Sequence, residues 1–297
     1  MLYFEDCDIS INGTGILVES AGLNSEAPIA SLGTIGQNPF HYVPAGLLQN
    51  TLQLSYLLEP TREPNWQIIS GFKTITTNTA LSPVTIKIAG ISGNFYLNDY
   101  SITTRENDLV GASVNYIGFA PLSGQISERD VTITYDFNSG SGIAHYCTSA
   151  IGMKRWRADR LLNQWYLSKN IYNCNYSFRA NLMPVVCLGY QTPKSIEFLG
   201  AEETISVVHD QFIPLGVYGF DSTSGLQLPL GTYPQYYVDF FIRFGPVSEK
   251  PLAPLDVGGT FNLDCAIGLT GGLIKAEQMS ISTNDMLRVN TTIIKSY

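Results

Sequence analysis

The stretch VTIKIAGISGNFYLNDYSITTRENDLVGASVNYIGF, from Val84 to Phe119, is echoed by FNLDCAIGLTGGLIKAEQMSISTNDMLRVNTTIIKSY, which starts at Phe261. With Gly93 set on Gly272, SITT at Ser101 falls on SIST at Ser280. Asn107-Asp108 then meets Asn284-Asp285 after a two-residue gap, and the apolar alternation keeps phase. Val110, Ala112, Val114 and Tyr116 stand against Leu287, Val289, Thr291 and Ile293. Upstream, Leu52, Leu54, Tyr56 and Leu58, closed by Pro60, match Val238, Phe240, Ile242 and Phe244, closed by Pro246. Two blocks repeated in the same order predict one β unit used twice. The expected core includes Leu52, Leu54, Tyr56, Ile86, Ile88, Val238, Phe240 and Ile242.

A chain of 297 residues is long enough for two domains of ordinary size, here expected at 1–127 and 128–297. Asn12-Gly13 is a dipeptide suited to a tight hairpin near the start. The run 24–49 holds three prolines and little periodicity, which predicts a long loop ordered by a partner. NSGSG at Asn138–Gly142 is flexible punctuation. Beyond it one helix is expected over about 151–168, because Ala158, Leu161, Leu162, Trp165 and Tyr166 recur at helical spacing. Alternating β patterns resume from Tyr172.

Hydrophobic residues make up 44% of the chain and charged ones only 14%, enough for real cores and low for a freely solvated surface. The net charge of −8 is uneven. Residues 1–120 carry four basic and ten acidic side chains, 121–170 six and four, and 171–297 seven and eleven. An acidic protein gains nothing from counterion release, so sequence-specific DNA binding is not expected. The start MLYFEDCDISI lacks a basic, then apolar, leader pattern, and no apolar run is long enough to span a bilayer. Cys7, Cys147, Cys174, Cys187 and Cys265 are odd in number and scattered, so they are expected as reduced core residues made in a cytoplasm.

Catalytic and metal-binding signatures are missing from the sequence. His41, His145 and His209 are far apart, and no GxSxG, Walker A or strand-linked GxGxxG is present. No enzyme activity, cofactor or metal is therefore expected. Trp66 could serve a sugar-stacking platform, while Trp165 fits a helix core. The densest charge feature is MKRWRADR, where Lys154, Arg155, Arg157 and Arg160 form a candidate basic contact helix.

The glycine-punctuated strand, the polar-tipped hairpin SITTREND and the following LVGASVNYIGF resemble the C-terminal half of a phage tail-tube domain, best over 51–119 and less closely over 236–297. The resemblance implies a mainly β fold of two tandem tail-tube-like β-sandwich or barrel domains, with one helix between or flanking them. It implies a structural virion protein of a phage tail tube or baseplate hub, made in the host cytoplasm. Its partners would be other tail or baseplate proteins and further copies of itself, in a trimeric ring of pseudo-sixfold symmetry. DNA would pass through the lumen without sequence-specific contact, and no membrane would be involved.

Carried onto this chain, the family's inter-ring loop falls on 24–49, with Ile29, Leu32, Ile35, Phe40, Tyr42 and Val43 as contact candidates. The family's acidic lumen makes Asp99, Glu106, Asp108, Glu277 and Asp285 candidate wall residues. The competing expectation is a carbohydrate-binding β-sandwich module or a glycan-active enzyme on a virion surface.

Overall fold

The structure, a computed structural model, describes residues 9–33, 41–105, 108–127, 144, 150–157, 160–161, 166–168, 171–188, 190–209, 236–243, 266–280 and 288–297. The fold is mainly β. In chain order the strands are β1 (Ile9–Ile11), β2 (Thr14–Gly15), β3 (Val18–Glu26), β4 (Ile29–Leu32), β5 (His41–Pro44) and β6 (Gln49–Leu57). After helix α1 (Asn65–Phe72) come β7 (Thr79–Ala80), β8 (Val84–Ile88), β9 (Ile91–Arg105), β10 (Gly111–Gly118) and β11 (Ser123–Gly124). The remainder supplies β12 (Ala150–Arg157), β13 (Arg160–Leu161), β14 (Tyr166–Ser168), β15 (Ile171–Val185), β16 (Ser195–His209), β17 (Tyr236–Arg243), β18 (Ala266–Ser280) and β19 (Arg288–Ser296). Seventeen of these strands are hydrogen-bonded into one network, and β4 and β5 form a separate two-stranded sheet.

Period-two alternation sets the inner face of the main sheet. Leu52, Leu54 and Tyr56 of β6, Ala112, Val114 and Tyr116 of β10, and Tyr100 and Ile102 of β9 are all buried. Ile86 is buried as expected, and Ile88 is half-buried against the same core. Two tight turns punctuate this region. Asn12-Gly13 and Ala89-Gly90 both adopt positive φ at both positions, the geometry that matches the twist of two-residue hairpins. Gly90 has no substitute there, since a Cβ would lie 2.3 Å from the Gln125 carbonyl oxygen. Strand β9 runs through both layers of the sandwich. Its first residues pair with β8, and from Tyr96 onward it pairs with β10.

The ladder of pairings is repeated. In the first half β2 pairs with β1, β1 with β8, β8 with β9, β9 with β10, β10 with β6 and β6 with β3. In the second half β14 pairs with β12, β12 with β17, β17 with β18, β18 with β19, β19 with β16 and β16 with β15. The registers of the β3–β6–β10–β9 and β15–β16–β19–β18 ladders agree, whereas β17–β18 carries a bulge between Val238 and Phe240 that β8–β9 lacks. Tyr116 faces Leu97 and Leu52, as Ile293 faces Ile274 and Ile205. These bulges recur: Glu19 is the extra bulge residue of β3 and Tyr172 that of β15, while Asn98 in β9 answers to Lys275 in β18. A bulge redirects a strand and is a feature of a fold rather than noise.

This register corrects the upstream echo. The counterpart of Leu52 is Ile205, not Val238; Val238, Phe240 and Ile242 instead answer to Val84, Ile86 and Ile88. The downstream echo is kept with a slip of two residues, because Thr103, not Ser101, holds the place of Ser280. The two halves meet where β15 pairs with β9 from Arg179–Asp99 to Asn173–Arg105. One sheet therefore runs β3, β6, β10, β9, β15, β16, β19, β18, β17, β12.

Two expectations are overturned here. The described residues of 151–168 form no helix: Ala150–Arg157 is strand β12, paired along all eight residues with β17, and Arg160–Leu161 and Tyr166–Ser168 are strands as well, while Ala158, Leu162 and Trp165 lie outside the described residues. Tertiary pairing with β17 overrides the helical spacing of apolar residues, as it does for many short periodic runs. The helix lies instead at Asn65–Phe72, with Pro64 at its N-cap and Ile69 and Phe72 buried. Proline suits a helix start because the first N–H groups have no intrahelical acceptor. The segment 24–49 is likewise not a long irregular loop. It continues β3 to Glu26 and then forms the hairpin β4–β5, with Ile29 opposite Pro44 and Leu32 opposite His41.

Candidate functional site: a hydroxyl-lined sheet face and two buried carboxylates

The outer face of the long sheet is polar and made of small side chains. Register places Ser20, Ser55, Ser113, Ser101, Ser177 and Thr204 in one row across six strands. The row is continuous with hydrogen bonds such as that between the Ser101 and Ser113 hydroxyls, 2.7 Å apart. The next row holds Gln53, Asn115, Asp99, Arg179 and Glu202. Apart from Ser20, these residues line a groove of about 450 Å³. Its charges nearly cancel, since the Arg179 guanidinium lies 3.8 Å from an Asp99 carboxylate oxygen. That pair is largely solvated and contributes little to stability.

Of the candidate wall acids, Asp99 alone is placed on this groove. Asp108 is exposed and accepts a bond from the Leu109 backbone N–H, at the end of the β9–β10 hairpin. Glu277 stands opposite buried Thr291 in the register, on the other face of the sheet from Asp99. Glu106 and Asp285 lie outside the described residues. Glu202, which sequence reading did not single out, does line the groove. The pair Glu202-Glu203 hid it, because alternation alone does not say which of two adjacent acids faces in.

The basic candidates do not form a helix face. Lys154, Arg155 and Arg157 belong to β12 and Arg160 to β13. Strand alternation sets Lys154 on the opposite side from Arg155 and Arg157, and Lys154 pairs in register with Asp239. On the arm, Ile29 and Tyr42 are 64% and 68% exposed and share a face, while Val43 is half-buried. Leu32 is in β4, and Ile35 and Phe40 lie outside the described residues. Trp66 donates its indole N–H to the Tyr100 hydroxyl at 3.1 Å and is no open platform.

Two carboxylates are buried behind the groove. Glu63 precedes α1, and its Oε1 accepts from the Asn65 backbone N–H at 3.0 Å, the Asn65 side-chain amide at 2.7 Å and the Tyr56 hydroxyl at 3.0 Å. The Tyr116 hydroxyl donates to Asn65 Oδ1, so one cluster fastens α1 to β6 and β10. Burial raises the Glu63 carboxyl above its usual range, opposed by these hydrogen bonds, the backbone one foremost. Burial also raises the Tyr56, Tyr100 and Tyr116 hydroxyls, so none ionises near neutrality.

Because the folded pKa of Glu63 exceeds the unfolded one, the native state binds more protons between the two values. Stability from this group is therefore full below the ordinary glutamate pKa and declines as pH rises through the folded one. Glu63→Gln keeps an acceptor and removes the titration. Urea midpoints from about pH 4 to about pH 8 should fall for the wild type and stay flatter for the variant. Equal slopes would show that Glu63 is ionised throughout.

Glu203, the second buried acid, is wholly enclosed. Lys73 Nζ approaches its Oε1 at 2.6 Å, and the Tyr176 and Tyr297 hydroxyls donate to its two oxygens at 2.5 Å each. Lys73 also donates to the Gly268 carbonyl at 2.8 Å. Lys73 follows α1 in the first half, whereas Glu203, Tyr176, Gly268 and Tyr297 belong to the second. The two halves are thus joined by the β9–β15 ladder, by a short β7–β16 pairing and by a buried ion pair.

Among the described residues no three His, Cys, Asp or Glu side chains gather as a metal site would require, and no helix is long and apolar enough to cross a membrane. Buried Cys174 has its thiol pushed up by desolvation, so it is a packing residue rather than a nucleophile. The chain matches no protein-family model and no curated protein.

Proposed function

We propose that this chain is a structural virion protein of a phage tail, forming a ring of the tail tube or baseplate hub through which DNA passes. The observation that supports this most is the duplicated unit joined edge to edge, β9 on β15, into one sheet with an apolar inner face and a small, polar outer face. Repeating the same junction between copies would extend such a sheet. Three copies carrying two units each would close a ring of pseudo-sixfold symmetry. The hydroxyl rows would face the lumen, and the core with α1 would lie outside them.

The arm β4–β5 fits contact with neighbouring tail or baseplate proteins, since Ile29 and Tyr42 are exposed apolar side chains on one projecting face. The reading has no need of a catalytic group, cofactor or membrane. The chain purified at high concentration should form rings or stacked tubes in negative-stain electron micrographs. Removing residues 33–40, between β4 and β5 in the sequence, should reduce stacking while the circular dichroism spectrum of the monomer is kept. A chain that stays monomeric at high concentration would overturn the proposal.

A further inference from the structure

The internal junction specifies an external one. In the repeat, β15 of the second half corresponds to β3 of the first, and β9 of the first half corresponds to β18 of the second. The junction uses β15 and the distal part of β9. Their counterparts are left over. Among the described residues β3 pairs only with β6. Among the described residues β18 past Leu273 likewise pairs only with β19, since the described part of β17 ends its pairing there.

We infer that copies of this chain join head to tail by pairing β3 of one copy with the distal part of β18 in the next. Carrying the Tyr176–Ile102 and Ser177–Ser101 register across gives Gly22 opposite Ser280, Leu23 opposite Met279, Asn24 opposite Gln278 and Ser25 opposite Glu277. The inference rests on the reading as a ring-forming protein and names the surfaces that form the ring.

Two observations on the free edge support it. Leu23 is half-buried, whereas Tyr176, which holds the same place inside the internal junction, is fully enclosed. A neighbouring strand would complete the cover. The second observation concerns Asn50, whose place in the first half is that of Glu203 in the second. Glu203 receives Lys73 across the internal junction. Asn50 is 1% exposed and donates its amide to the Ala120 carbonyl at 2.7 Å, but its Oδ1 is buried with no hydrogen-bond partner among the described residues. Orphaned buried acceptors are uncommon in a finished structure. In the second half the equivalent side chain is completed from the other half, so in the head-to-tail arrangement the neighbouring copy stands beside Asn50.

The test is a disulfide trap in the full chain. Asn24 and Gln278 are both exposed, so Asn24→Cys and Gln278→Cys leave the core intact. Directly opposed residues bring their Cβ atoms to roughly 5 Å, within disulfide reach, while a slip of two residues opens this to roughly 7 Å or more. Oxidation of the doubly substituted chain should give covalent dimers and trimers on denaturing gels. The yield should be about tenfold above that of Asn24→Cys with Ser280→Cys, as the difference in reach implies. The wild type with its native cysteines sets the background. Rings in micrographs with no excess at this pair would overturn the strand pairing while leaving the ring intact. A monomer with neither rings nor cross-links would overturn both.

Discussion

Lys73→Met should lower the unfolding free energy by about 3–5 kcal/mol at neutral pH, the usual cost of stranding one partner of a buried ion pair. Glu203 has no solvent-exposed side chain surface, so nothing outside the protein replaces the ammonium at 2.6 Å. The tyrosine hydroxyls of Tyr176 and Tyr297 remain as donors but carry no charge. Lys73→Met combined with Glu203→Gln should recover most of the loss, because the buried charge is then gone as well. Urea midpoints of the two single variants and the pair form a double-mutant cycle that isolates the interaction. Since Lys73 comes from the first half and Glu203 from the second, the single variant should also begin to separate their unfolding. A loss below about 1 kcal/mol, the range of solvated pairs, would mean that water reaches the site.

The sequence carried the local half of this fold more clearly than the long-range half. Alternation in Val84–Ile88, Ile91–Arg105 and Gly111–Gly118 is strict, and its buried positions were legible because one face of an antiparallel strand must be apolar. The duplication was legible for the same reason in the last two strands of each unit. Its upstream partner was misassigned because Val238, Phe240 and Ile242 alternate as well against Leu52 as against Val84. Pattern cannot separate two strands of equal period; only the pairing of β17 with β18 and of β16 with β19 does so. The helix was misplaced on similar grounds. Asn65–Phe72 has only eight residues, too few for a clear amphipathic signal, and its start depends on Glu63 accepting the Asn65 N–H within a tertiary cluster.

The site was less legible than the fold. The acids singled out for the wall were chosen by charge, but facing is decided by bulges. The extra residue Asn98 in β9 sets the phase that brings Asp99 to the groove, and Lys275 sets the phase that sends Glu277 to the other face. A single unpaired residue reverses inside and outside for everything beyond it. The hydroxyl row was invisible for a simpler reason. Serines spaced alternately along separate strands share no local motif, and they become a surface only when five ladders align them.

Under the proposed function that surface is what DNA would meet, and its chemistry makes a sharp expectation. Replacing Ser101, Ser113 and Ser177 with lysine should leave ring assembly unchanged and slow DNA passage severely. These side chains are half-buried or exposed on the outer face, so longer residues extend into solvent without entering the core. Hydroxyls exchange hydrogen bonds with water and offer phosphate no fixed counter-charge, so a moving duplex meets no deep well. Three lysines in each chain, repeated around a ring, would replace that wall with a belt of cations. Each phosphate contact releases counterions and deepens the trap, with an affinity that falls steeply as salt is raised. The delay should therefore be largest at low ionic strength and be relieved by salt, which separates an electrostatic trap from a steric block. Threonine at the same three positions keeps the hydroxyls and adds only a methyl group, so that variant should pass DNA at nearly the wild-type rate. Ejection measured by the release of dye-accessible DNA from particles carrying each variant reads the difference directly. Equal rates for the lysine and threonine variants at low salt would mean that this face is not turned to the channel.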